Sequence, residues 1–132
     1  VKKTFAVLSA LALSSVALVG CSSESAPAAD CLSVEDSMLQ AIADGTSGNP
    51  MKPIKGAAAK DGELYVIAMS FNEGHEDLTG LWASGSLEPG GSVIGAADGI
   101  AKQFTNWPDA KGSPWQVSSA DKVSEDARKC LG

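Results

Sequence analysis

Few arrangements of a short chain accommodate the stretch Glu63 to Phe71. Extended backbone sends successive side chains to opposite faces. Leu64, Val66 and Ala68 then share one face, and Tyr65, Ile67, Met69 and Phe71 share the other. Both faces are apolar. A strand of this kind is central, and it is covered either on both sides or on one side with the other partly exposed. Ile54 to Ala59 supplies a partner strand, and Lys60-Asp61-Gly62 joins the two. Asp-Gly provides the positive φ that a tight hairpin turn requires.

The flanking segments fill out a small domain. Asn72 to Asp77 is a polar turn, and Leu78 to Ser84 reads as a third strand with Leu78, Gly80 and Trp82 on one face and Thr79, Leu81 and Ala83 on the other. Gly85 to Gly91 is a Gly/Pro connection, after which Val93-Ile94 adds a short fourth strand. Upstream, Ser33 is placed to cap a helix with Glu35 and Asp36 in its first turn, where the helix dipole favours acids. Val34, Met38, Leu39 and Ile42 recur at helical spacing, and Asp44-Gly45 closes that helix. A second helix is expected over Ala96 to Phe104, ended by Asn106-Trp107-Pro108. A third follows Ser119, with Val123, Ala127, Cys130 and Leu131 as its buried stripe. Helix, three or four antiparallel strands, then two helices define an α+β class, expected here as a two-layer sandwich over residues 31–132.

The first thirty residues follow a different logic. Lys2 and Lys3 precede a run from Phe5 to Val19 that is apolar or small throughout. As a helix it spans about 22 Å at ~1.5 Å per residue, short of the ~20 residues that cross a bilayer. A secretory signal fits this pattern better than a transmembrane anchor. The run closes on Leu18-Val19-Gly20-Cys21, which resembles a bacterial lipobox: an aliphatic residue, a small or aliphatic residue, Gly or Ala, then Cys. The resemblance implies cleavage after Gly20, a diacylglyceryl group on the Cys21 sulfur, and often an acyl group on the freed amine. It covers the signal (1–20) and Cys21 alone. Two or more acyl chains make a stable anchor at about 0.8 kcal/mol per buried CH₂. Ser22 to Asp30 is small, polar and Pro-containing, and reads as a flexible tether reaching about 15–20 Å on the scale of ~5–6 Å × √n. The expected location is the extracytoplasmic face of the cell membrane.

Charge and cysteine usage agree with export. Removing residues 1–20 takes two lysines and no acids from 10 basic and 16 acidic side chains, leaving a net charge of −8. A polyanion is a poor partner for nucleic acid or anionic headgroups. With Cys21 taken by lipid, Cys31 and Cys130 remain as an even pair in an oxidising compartment. A disulfide between them is expected, against two free thiols or a metal pair. With no further Cys and a single His, a zinc site is implausible.

Motifs that carry chemistry are sparse. Asn72-Glu73-Gly74-His75-Glu76-Asp77 holds the lone histidine among carboxylates, a pattern for a general base or a metal ligand. It is also a solvated turn by composition, and it lacks calcium-loop spacing. Ser119-Ala120-Asp121-Lys122 matches the Ser-x-x-Lys nucleophile motif, without its companion elements. Trp82, Trp107 and Trp115 are large aromatics in an aromatic-poor chain. Trp82 is expected in the core, while Trp107 and Trp115 at loop edges are candidates for a ligand platform, with His75 as a further candidate. Glu88 to Ser92 is Gly-rich but has no phosphate-binding pattern. The expectation is a lipid-anchored, non-catalytic interaction module of the cell envelope, without metal or cofactor, meeting an envelope protein or cell-wall component. A small-ligand-binding lipoprotein and a small envelope hydrolase using His75 are the alternatives.

Overall fold

The computed structural model describes residues 30–132; the lipobox-like stretch Leu18 to Cys21 and the expected tether up to residue 29 lie outside the described residues. One antiparallel sheet of five strands runs in simple sequential order: β1 (Leu32–Ser33), β2 (Lys52–Asp61), β3 (Leu64–Asn72), β4 (Asp77–Ser84) and β5 (Ile94–Ala96). Helix α1 (Asp36–Ala43) lies between β1 and β2, and α2 (Gly99–Phe104) and α3 (Lys122–Leu131) follow β5. The mixed α+β class stands as expected. The sheet has five strands rather than three or four, because Leu32–Ser33 pairs with Ala58 and Ala57 on the outer edge of β2. Ser33 is therefore in a strand and not a helix cap.

The central hairpin forms where Asp-Gly placed it. Asp61 pairs with Leu64 across Gly62 and Glu63, and Gly62 holds a φ of 64°. Strand β3 is flanked by β2 and β4 along its whole length. Its alternation divides the core in two. Ile67, Met69 and Phe71 join Met38, Leu39 and Ile42 of α1, Trp82 of β4 and Ala101 of α2. Val66 and Ala68 join Leu81 and Ala83 of β4, Trp115, Val117, and Val123 and Ala127 of α3. Helices thus cover both faces, and the expected two-layer sandwich is corrected to helix, sheet, helix. The cause is β3 itself, whose first half is apolar on both sides and must be buried twice.

The second half of β3 takes the other option. Beyond Ala68, the α3-side face continues as Ser70, which shares a 3.2 Å hydrogen bond with Thr79, and Asn72, which donates to Asp77 at 2.9 Å. These polar groups are satisfied within the sheet, so that stretch needs no helical cover.

The segment ends are set by specific groups. The Asp98 carboxylate accepts from the N–H of Ala101 at 2.8 Å and of Leu81 at 3.2 Å. It caps α2 and ties that helix start to β4, so α2 begins at Gly99, and Ala96 belongs to β5. Helix α3 starts after Asp121 rather than at Ser119. The Asp121 carboxylate accepts from Ser118 N–H at 2.9 Å, and Ser124 donates to the Ser118 carbonyl at 2.7 Å. Cys31 and Cys130 form a disulfide with Cα atoms 5.4 Å apart. It ties the residue just before β1 to the end of α3.

Candidate functional site

Strand β2 runs toward the Gly62 turn and β3 runs away from it, so Asp61, Glu63 and Leu64 gather at one end of the sheet. Strand β4 ends at the same place and releases the loop that carries Gly85 and Ser92. Pro114 and Trp115 arrive from the segment before α3. Together these residues line an open cleft of about 300 Å³.

Trp115 is the fixed part of this cleft. Its indole N–H donates to the Val93 carbonyl at 3.3 Å. Its ring lies against Gly95, where a Cβ would come within 2.9–3.0 Å of three ring carbons. Trp115 as a whole is only 8% exposed. The backbone around it is held by Gln116 N–H to Gly112 and Val117 N–H to Ala110, both at 2.9 Å. The Ser113-Pro114 peptide is cis, and Gln116 has a φ of 53°, a left-handed conformation that costs a non-glycine residue roughly 1–2 kcal/mol. Leu64, Pro114 and Trp115 give the cleft an apolar floor. Asp61 and Glu63 stand at its rim, and among the described residues neither takes part in an ion pair.

The other tryptophans lie elsewhere. Trp107 is half-buried beside the α1 cluster, and its indole N–H donates to the Ile42 carbonyl at 2.9 Å. Trp107 and Trp115 belong to opposite faces of the sheet, so the structure does not bring them together as one platform. Trp82 is fully buried, as expected, and donates to Thr105 Oγ1 at 3.2 Å.

His75 occupies an exposed turn at the other end of the sheet from the cleft. The neighbouring polar groups hold the turn: Asn72 Oδ1 accepts from Gly74 N–H at 2.8 Å while its amide binds Asp77. No other side chain among the described residues hydrogen-bonds His75, and no group of three or more His, Cys, Asp or Glu converges there on a metal geometry. The Ser-x-x-Lys motif is also dispersed. Lys122 binds both oxygens of Asp126, at 3.1 and 2.8 Å, and Ser119 lies in the turn before the helix. Glu88 to Ser92 forms a turn closed by Gly91 N–H to the Glu88 carbonyl at 2.9 Å, with Gly90 at φ 76°.

Asp61, Glu63, Leu64 and Pro114 carry no signal in the sequence as a site. The acids flank a turn glycine, as turn acids often do, and only the fold brings Pro114-Trp115 to them across some fifty residues. Comparison with family models, with curated proteins and with solved structures found no match. The described residues form an α+β domain built on a five-stranded antiparallel sheet in sequential strand order, with a cleft lined by Trp115 at the hairpin end.

Proposed function

We propose that this chain is a lipid-anchored, extracytoplasmic binding module, held at the cell membrane through Cys21 and engaging an envelope protein or cell-wall component at the Trp115 cleft. The cleft is the observation that carries the binding half of the reading: a rigid apolar floor beside two carboxylates that have no partner within the described domain. The lipobox carries the address, and a disulfide-closed domain is at home in an oxidising compartment.

Two experiments test it. In a bacterial host, the whole protein is expected in the membrane fraction, with residue 21 at its N-terminus bearing lipid. Cys21→Ala is expected to lose both lipid and processing. A parent protein that keeps residues 1–20 and carries no lipid on Cys21 would remove the anchored reading. For the cleft, a photo-reactive residue placed at position 63 in intact cells is expected to capture a specific partner, and the same residue at position 75 is not. Capture from position 75 alone would move the binding surface to the opposite end of the sheet.

A second reading is a small-ligand carrier. A volume of about 300 Å³ is at the lower end of known ligand sites, roughly 300–1,000 Å³, and the cleft is open rather than enclosed. A hydrolase built on His75 needs a partner side chain within about 3 Å, and the Asn72 to Asp77 turn supplies no support for it.

A further inference from the structure

We infer that the Trp115 cleft takes a cationic side chain of a peptide, of the lysine type, with its ammonium between Asp61 and Glu63 and its methylene stem along Leu64, Pro114 and Trp115. This inference rests on the cleft being the binding site and names the chemistry it selects.

The carboxylates are open to such a ligand because Lys60 and Lys122, the two cations that the chain and the fold bring beside Asp61, have other contacts. Lys60 adjoins Asp61 in the chain, yet its ammonium sits 5.2 Å from the centre of the Tyr65 ring. Tyr65 faces away from the cleft, on the α1 side of β3. Lys122 shares a hollow with Asp61, yet it binds both oxygens of Asp126. Among the described residues neither Asp61 nor Glu63 is in an ion pair, and both line the cleft with Leu64, Pro114 and Trp115.

A neutral sugar is a poorer match. Stacking needs an open aromatic face, and the Trp115 ring is pressed on Gly95 in a residue that is only 8% exposed. What remains is a strip of apolar surface. An extended alkyl stem covers such a strip while its charged head stays at the wet rim, the way lysine stems lie on apolar surface generally. An acidic ligand would be repelled by the same rim and by a chain whose net charge is −8 once residues 1–20 are removed.

The test uses the whole lipidated protein in detergent micelles and three capped tripeptides, Ala-Lys-Ala, its Nε-acetylated form and Ala-Glu-Ala. The readouts are the indole N–H resonance of Trp115 and the amides of Gly62, Glu63 and Ser92. The lysine peptide is expected to shift all four saturably, and the other two peptides are not. Asp61→Asn with Glu63→Gln is expected to weaken the lysine peptide by about fivefold to thirtyfold, the range for two exposed ion pairs of up to about 1 kcal/mol each. Both residues lie on an exposed turn, and unchanged amide positions in the rest of the spectrum report that the variant is folded. Equal shifts with the acetylated peptide would overturn the cationic assignment and leave the cleft as a binding site. Absence of any shift with the lysine peptide would overturn the assignment too, and the cross-linking from position 63 decides separately whether the cleft binds anything.

Discussion

The indole of Trp107 lies directly over Gly45, and its N–H donates to the carbonyl of Ile42 at 2.9 Å. The glycine that ends α1 is therefore the seat of an aromatic ring. A Cβ at Gly45 would overlap three atoms of that ring. Gly45→Ala is expected to cost about 1–3 kcal/mol, as overpacking of a rigid group does. Gly48, three residues on, has nothing within 4 Å of the corresponding position, and Gly48→Ala is expected to stay within about 0.5 kcal/mol of the parent. Urea unfolding of the two variants side by side measures the difference. Equal stability would mean that the ring can move off Gly45 freely.

The hydroxyl of Thr105 joins two groups in the core. It accepts from the Trp82 indole at 3.2 Å and donates to the Ala101 carbonyl at 2.6 Å. Thr105→Val keeps the shape and leaves the indole N–H without a partner at a fully buried site. The expected loss is about 1–3 kcal/mol. Thr105→Ser restores the hydroxyl and is expected to recover most of it, apart from the missing methyl. Thermal or urea unfolding resolves the two, and a Val variant as stable as the Ser variant would show that the indole finds another acceptor.

Cys31 and Cys130 close a loop with a sequence separation of 99 residues. The chain-entropy account assigns such a loop about 4–5 kcal/mol, and removal of a native disulfide from a small secreted domain commonly costs about 2–5 kcal/mol. Cys31→Ser with Cys130→Ser is expected to fall in that range under urea. Alkylation before and after reduction checks the bond itself. Two additional labels at these positions are expected only after reductant, and labelling without reductant would contradict the pairing.

Asp109 titrates below its ordinary value of 3.8, held down first by the backbone N–H of Lys111 and then by the Lys102 ammonium. The sign follows from the depressed folded-state value. The unfolded chain binds the proton more readily, so the ionised group contributes stability above about pH 3.8, and that contribution fades as the pH falls through the lower folded value. Asp109→Asn keeps an oxygen for Lys111 and loses the charge. The parent is expected to be slightly more stable than the variant at neutral pH, with the gap closing under stronger acid. Carboxyl carbon shifts followed through an acid titration give the folded value directly, and a value at or above 3.8 would refute the assignment.

Much of the fold could be read from alternation in the chain. The two-faced pattern of β3 placed it at the centre, and Asp61-Gly62 located the hairpin. Leu39, Met38 and Ile42 identified the buried side of α1. The failures have physical causes. A strand of two residues, Leu32–Ser33, is too short to show a period, and Ser33 before two acids imitates a helix cap. Asp98 was hidden because Ala96 and Ala97 extend the helical pattern upstream, although they lie at the end of β5 and just beyond it. The candidate site was legible only in Trp115. Its exposure and partners depend on Gly95 and Val93, about twenty residues away. The carboxylates of Asp61 and Glu63 are indistinguishable in sequence from ordinary turn acids. His75 had the more suggestive neighbours and none of the geometry.

Asp30 lines an open hollow with Lys60 and Gly62, at the same end of the sheet as the Trp115 cleft. On the anchored reading, this end trails the lipid by the reach of Ser22 to Asp30. A partner anchored in the same membrane would then meet the cleft by travelling along the bilayer. The encounter becomes a lateral search in two dimensions. Occupancy would follow the partner's density per area of membrane rather than its concentration in bulk, and the length of the tether would set the local concentration each molecule presents.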